Sequence, residues 1–150
     1  SRRWRRLARR TWAGLKELYL RKNLLLSCDF ESIGLSKNPN TYSNRILKNC
    51  GKYLTKLTID EFGTSTALYL IGQYCPNIVS LSVKYQTFKS GSMKFLSKLE
   101  KLEDFSIGAI ETSTIEEVLQ FVQTQNLCKI RFSALLNSDN VVSLPSNART

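Results

Sequence analysis

The sequence predicts an α/β fold in which short parallel strands alternate with helices. Four segments share one apolar pattern, and their first positions lie 24, 24 and 25 residues apart. Between these segments the apolar residues change to the three- and four-residue spacing of a helix. No apolar run approaches the roughly 18 residues of a membrane-spanning helix, so we do not expect the protein to contact a membrane.

The repeated pattern has the form L-x-x-L-x-L, and its last two apolar positions point to one face of a strand because they lie two residues apart. The four copies are Leu54, Leu57 and Ile59; Ile78, Leu81 and Val83; Leu102, Phe105 and Ile107; and Leu127, Ile130 and Phe132. The period lies within the roughly 20 to 29 residues of leucine-rich repeats. The sequence therefore predicts a leucine-rich-repeat solenoid of about five strands, with short parallel strands on its concave face and helices on its convex face.

Each connection between these strands carries a helical pattern. The apolar positions are Ile46, Leu47 and Cys50; Ala67, Leu68 and Ile71; Phe95, Leu96 and Leu99; and Ile115, Val118, Leu119 and Val122. Pro76 is expected to stop the second helix, and Ser113-x-x-Glu116 is typical of a capping box at the start of the last one. Each unit is therefore one strand followed by one helix.

Two segments resemble the cysteine-containing repeats of F-box/LRR proteins, in which a cysteine closes each helix just before the strand. They are Cys50 to Leu57 and Cys75 to Val83. The start of the chain resembles the end of an F-box, a basic helix built around a tryptophan. The residues that carry this second likeness are Trp4, Leu7, Ala8 and Trp12.

The resemblance implies a protein-binding module without catalytic activity, the substrate-receptor part of a cullin-RING ubiquitin ligase. A Skp-type adaptor is then a partner only if a complete F-box precedes Ser1 in the full-length protein. Residues 1–14 are interpreted as the end of the F-box and 15–133 as repeats, of which 15–42 are irregular and those from 43 regular. Residues 134–150 are expected to form a tail or a partial cap.

The residue composition argues against an enzyme. The chain has no histidine, which excludes Ser-His-Asp and Cys-His nucleophilic systems and the histidine-containing zinc sites. No glycine-rich phosphate-binding loop is present, so we expect no cofactor and no metal. The cysteines are Cys28, Cys50, Cys75 and Cys128. They form no C-x-x-C pair, so buried thiols are the expectation.

The positive charge is concentrated at the start of the chain. The net charge is +10, and residues 1–12 contribute +6 of it through six arginines without an acid. This arginine run could bind nucleic acid, which would suit a basic scaffold or nucleic-acid-associated protein. The helical spacing of Trp4, Leu7 and Ala8 favours instead a helix with a buried apolar face and solvated arginines, so nucleic acid is the less expected partner. The expected compartment is the cytoplasm, the nucleus or both.

The residues between the buried strand positions should form the binding surface, because side chains alternate along a strand. They are Lys56, Thr58, Asp60, Ser80, Ser82, Lys84, Asp104, Ser106, Lys129, Arg131 and Ser133. Positive charge at Lys84, Lys129 and Arg131 suggests a protein partner with an acidic or phosphorylated segment. The alternative, a sheet face that is merely solvated, is equally compatible with the pattern.

Overall fold

The computed structural model describes residues 2–21, 39–87, 89–108, 112–133 and 139–143. The helices are α1 (Arg2–Gly14), α2 (Pro39–Cys50), α3 (Ser65–Tyr74) and α4 (Thr112–Thr124), with 3₁₀ helices η1 (Gly51–Tyr53) and η2 (Ser92–Lys98). The strands are β1 (Glu17–Arg21), β2 (Lys56–Thr64), β3 (Ser80–Thr87), β4 (Asp104–Gly108), β5 (Lys129–Ser133) and β6 (Asp139–Ser143). Residues 22–38, 134–138 and 144–150, which include Cys28 and most of the predicted irregular repeat and tail, lie outside the described residues.

All six strands belong to one sheet, and their order in space follows their order in the chain. The first five strands are parallel, which confirms the predicted α/β class and its parallel sheet. Each parallel pair is joined by a crossover connection, as this geometry requires. β6 pairs with β5 in the antiparallel direction and was not predicted as a strand.

The sequence repeat sets the register of the sheet. Lys56 lies beside Ser80, Ser80 beside Asp104, and Asp104 beside Lys129. Equivalent positions of the L-x-x-L-x-L pattern therefore lie side by side on neighbouring strands. This pairing begins at the first residue of each strand. A spacing of 24 or 25 residues in the sequence therefore leads from one strand to the equivalent position on the next.

The core lies between the sheet and the helices. The apolar positions of the four copies are buried, except that Phe132 is only partly buried. From the helix side, Leu47, Leu68 and Ile71 are also fully buried. Full burial of each such aliphatic side chain contributes about 1.5 to 3 kcal/mol, so these layers supply most of the driving force for the fold.

Two predicted helices differ from expectation. The segment with Phe95 and Leu96 is a 3₁₀ helix, which begins after Gly91 with its φ of 83°. In α4, Val118 and Phe121 are buried, and Phe121 packs edge-on against Phe105 with ring centroids 5.5 Å apart. The expected stripe was therefore partly wrong. Two of its large members, Ile115 and Leu119, are 38% and 46% exposed, because Phe121, one turn after Val118, fills the core position.

Helix α1 packs against α2 and η1 at the β1 end of the molecule. Trp12 is partly buried against the core, whereas Leu7 is 47% exposed, which corrects the expectation that Leu7 would be buried. The side chains of Trp4 and Ala8 lie outside the described part of the molecule. Among the described helices, none combines the length and apolar character that crossing a membrane requires.

Candidate protein-binding surface

The side of the sheet opposite the helices presents two rows of side chains that run across the five parallel strands. We call it the polar face. The first row is Glu17, Lys56, Ser80, Asp104 and Lys129, and the second is Tyr19, Thr58, Ser82, Ser106 and Arg131. Because neighbouring strands lie about 4.8 Å apart, each row spans about 19 Å. This is the surface that the alternation of apolar and polar residues predicted.

The first strand contributes residues that the sequence interpretation missed. Glu17, Tyr19 and Arg21 lie on the polar face because Leu18 and Leu20 point to the core. The alternation of Leu18 and Leu20 was the available signal. It was too short to define the strand ends without knowledge of the pairing with β2.

Most charges of the polar face are paired with a neighbouring strand. Lys56 Nζ lies 4.0 Å from Glu17 Oε2, and Arg131 Nη2 lies 3.7 Å from Asp104 Oδ2. The first pair is exposed and the second is partly exposed. Each therefore contributes little to stability, within about 1 kcal/mol. Arg131, expected to add positive charge to this surface, is thus paired with Asp104.

Asp60 is enclosed at the junction of β1 and β2. It is only 7% exposed, whereas the alternation predicted a solvated side chain. The Tyr19 hydroxyl donates a hydrogen bond to Asp60 Oδ2 at 2.9 Å, and Arg21 Nε lies 3.5 Å from the same oxygen. The long side chains of β1 therefore cover Asp60, which is not available to a partner and instead ties the first strand to the second.

Two cations of the polar face, Lys84 and Lys129, have no counterion within 4.0 Å among the described residues. Lys84 is exposed and lies beside Gly108 in the register, so no side chain of β4 covers it. Lys129 is partly exposed at the other side of the face. Between them Ser80, Ser82 and Ser106 offer short hydroxyl side chains. This part of the polar face can donate hydrogen bonds to a partner and can bind negatively charged groups. The side chain of Ser133, also predicted here, is outside the described residues.

The helix side contains an open groove of about 550 Å³ between η2 and α4. Its acid Glu117 accepts a hydrogen bond from the backbone N–H of Met93 at 3.1 Å. Glu117 therefore caps the start of η2 and holds the last helix beside it. Ser92 is buried nearby and donates to the Lys89 carbonyl at 2.5 Å. These polar groups already have partners within the fold.

Cys50 and Cys75 are buried thiols, as expected. Burial raises the pKa of Cys50 to about 11. Burial also raises the pKa of Cys75 to about 12, and the neighbouring Cys50 adds to this effect. Because a thiolate is the reactive form, neither residue is a nucleophile at neutral pH. In the described ranges, no cluster of three or more His, Cys, Asp or Glu side chains could hold a metal ion.

Comparison of the chain with protein-family models, with curated proteins and with solved structures finds no match.

Proposed function

We propose that this chain is a short leucine-rich-repeat solenoid that binds another protein through its polar face and performs no catalysis. The observation that carries the proposal is the alignment of outward side chains in two rows across five parallel strands. A repeat protein of this kind uses a fixed core and a variable strand face to recognise its partner. We further propose that the polar face is concave.

The solenoid architecture is supported by three features together. The strands are parallel and follow chain order, each regular unit adds one strand and one helical segment, and the unit length is 24 or 25 residues. Adjacent units of a solenoid bury their apolar faces on each other. The aligned core positions of the four copies, from Leu57 to Ile130, have this arrangement.

Within this class, the proposed role is the substrate-receptor part of an F-box/LRR subunit of a cullin-RING ubiquitin ligase. Support comes from the cysteines before β2 and β3, which are buried where the helices end, and from the basic helix with Trp12 packed on the core. A Skp-type adaptor would bind through a complete F-box in the full-length protein. Such a protein would work in the cytoplasm, the nucleus or both.

The proposed partner carries an acidic or phosphorylated segment. Lys84 and Lys129 are the cations of the polar face that have no described carboxylate within 4.0 Å. Asp104 lies beside Lys129 in the register but is paired with Arg131. Charge-assisted hydrogen bonds from ammonium groups to carboxylate or phosphate are stronger than neutral ones. The three serines between these lysines leave room for a segment to approach the strands.

A peptide library can test this proposal. Peptides with one fixed phosphoserine and otherwise random sequence are compared with the same library containing serine, and binding is measured by fluorescence anisotropy. We expect the wild-type protein to retain phosphorylated peptides and the Lys84→Glu, Lys129→Glu variant to lose them at least tenfold. The control variant, Lys89→Glu with Lys98→Glu, changes the net charge equally on exposed residues outside the polar face.

Equal retention by the wild-type protein and the polar-face variant would contradict the proposed surface. The ubiquitin-ligase role has its own test, which is co-purification of a Skp-type adaptor with the full-length gene product. If no adaptor co-purifies with the full-length gene product, the ligase role is contradicted. The peptide-binding result would not be affected by that outcome.

A further inference from the structure

The β1 end of the molecule carries a second charged surface, separate from the polar face. It is formed by α1, α2 and η1, which pack together. Its exposed cations are Arg2, Arg3, Arg6, Arg9 and Arg10 of α1, Arg45 and Lys48 of α2, and Lys52 of η1. We call it the basic surface. None of these three helices contains an aspartate or glutamate.

The cations of the basic surface are not neutralised by the described part of the fold. The ion pairs among described residues involve Arg21, Lys56 and Arg131, and none of the eight cations above joins one. Lys52 Nζ lies 4.8 Å from the centroid of the Tyr53 ring, a contact that leaves its charge in place. A surface with this much uncompensated positive charge attracts polyanions.

The five exposed arginines of α1 point away from the protein body. At 3.6 residues per turn, the five exposed arginines occupy about one third of the helix circumference, in an arc centred about 120° from Trp12. Trp12 packs against the core and so fixes the rotation of the helix. From Arg2 to Arg10 the arc rises about 12 Å, a length over which duplex DNA presents about seven phosphate charges.

The packing distinguishes between polyanions. A helix that binds at a lipid surface buries its apolar face in the bilayer, but here Trp12 is already used against the core. Proteins that bind single strands stack bases on exposed aromatic rings. Trp12 and Tyr53, the aromatic side chains described on this surface, are both partly buried. Leu7 is the only large apolar side chain described as exposed on these three helices. Regularly spaced phosphates on a rigid duplex therefore fit this rigid, mainly cationic surface better than either alternative.

We infer that the basic surface binds the phosphate backbone of duplex DNA. In the sequence alone, the helical spacing of Trp4, Leu7 and Ala8 favoured a helix with a buried apolar face and solvated arginines. The fold packs α2 and η1, which carry Arg45, Lys48 and Lys52, against α1 and leaves the arginine arc exposed, and these two features reverse the preference. The proposed site lies apart from Lys84 and Lys129, so its failure would be distinguishable from failure of the polar-face proposal.

The experiment measures anisotropy of a fluorescein-labelled 20-base-pair DNA duplex with the 150-residue chain, between 50 and 200 mM NaCl. One variant replaces Arg3, Arg6 and Arg10 of α1 with glutamine. A second variant replaces Arg45, Lys48 and Lys52 with glutamine. The control replaces Lys89, Lys94 and Lys98, which are exposed outside the basic surface, and removes the same charge.

We expect the wild-type protein to bind the duplex with an affinity that falls steeply as salt rises. Each basic-surface variant should bind at least tenfold more weakly, and the slope of log K against log salt should become shallower by about 2.7 for three lost phosphate contacts. The control should bind within twofold of wild type. If the α1 variant unfolds, the variant with lysine at the same three positions keeps the charge and should still bind.

Three results would overturn the inference. Equal weakening by the control would mean that only net charge matters. Equal or tighter binding to a single DNA strand of the same length would show that the duplex is not the preferred ligand. Binding to phosphatidylserine vesicles without binding to DNA would assign the basic surface to a membrane.

Discussion

Tyr19 and Asp60 join the first strand of the sheet to the second. The Tyr19 hydroxyl donates to Asp60 Oδ2 at 2.9 Å across 41 residues of sequence. Asp60 is 7% exposed, and Arg21 lies 3.5 Å away as its counterion. β1 is an edge strand among the described strands and is only five residues long. The contact therefore helps to hold a short edge strand to the rest of the fold.

Replacement of Tyr19 by phenylalanine tests this link. We expect the free energy of unfolding to fall by about 1 kcal/mol, the net contribution of a typical hydrogen bond, because this bond of a half-exposed tyrosine is lost while the ring remains. Urea unfolding at pH 7 measures the change. Tyr69→Phe is the matched control, since Tyr69 is 45% exposed against 47% for Tyr19. A loss of the same size in both variants would contradict a specific role for the Tyr19 hydroxyl.

Gly72 is the position where α3 comes closest to η2. A Cβ atom at Gly72 would overlap the carbonyl oxygen of Phe95 and lie 3.0 Å from its carbonyl carbon. We therefore expect Gly72→Ala to destabilise the protein by about 1 to 3 kcal/mol, although alanine favours helices. Thermal unfolding followed by circular dichroism measures the loss.

Gly14→Ala provides the comparison for Gly72. A Cβ at Gly14 meets no atom within 4 Å. Alanine at the end of α1 should leave the melting temperature unchanged or raise it slightly, since alanine is the better helix former. If Gly72→Ala were as stable as Gly14→Ala, the close approach of α3 and η2 would be wrong.

The buried thiols predict a loss of stability at alkaline pH. The pKa of Cys75 is raised by burial from 9.0 to about 12, so the folded state keeps a proton that the unfolded chain releases. The stability from this group is complete below pH 9 and is lost as pH rises from 9 towards 12. At pH 10.5 the loss should be about 2 kcal/mol.

Urea unfolding at pH 8 and pH 10.5 measures this effect by comparing wild type with Cys75→Ala. Other groups also titrate in this range, so the relevant quantity is the difference between the two proteins. We expect the variant to be the less stable protein at pH 8, because it leaves a small cavity, and the gap to narrow at pH 10.5. A constant gap would show that Cys75 ionises as readily in the folded protein as in the unfolded chain.

The repeat made the parallel sheet and most of its core predictable. Leu57, Leu81, Phe105 and Ile130 are buried in register because a strand that alternates apolar and polar residues has only one side that can face the core. The same rule located the polar face but could not show which of its charged side chains are buried or form ion pairs. The burial of Asp60 depends on Tyr19, which lies on a strand that is remote in sequence.

The differences in the helices have a related cause. Both Leu119 and Phe121 are apolar, so the sequence allows α4 two rotations about its axis. The edge-to-face packing of Phe121 on Phe105 selects one of them. The three cations beside α1 were unpredictable for the same reason, since only the packing of α1 on α2 and η1 brings them together.

Strand β6 extends the sheet beyond the parallel strands. Successive backbone N–H groups of a strand point to opposite neighbours, so in β5 one of Ile130 and Arg131 donates towards β4 and the other towards β6. Hydrogen exchange should therefore show both amides protected. In β1, which has one described neighbour, slow and fast amides should alternate between Leu18 and Leu20. Alternation of the same kind in β5 would contradict the pairing of β6 and make β5 the edge strand at that end of the sheet.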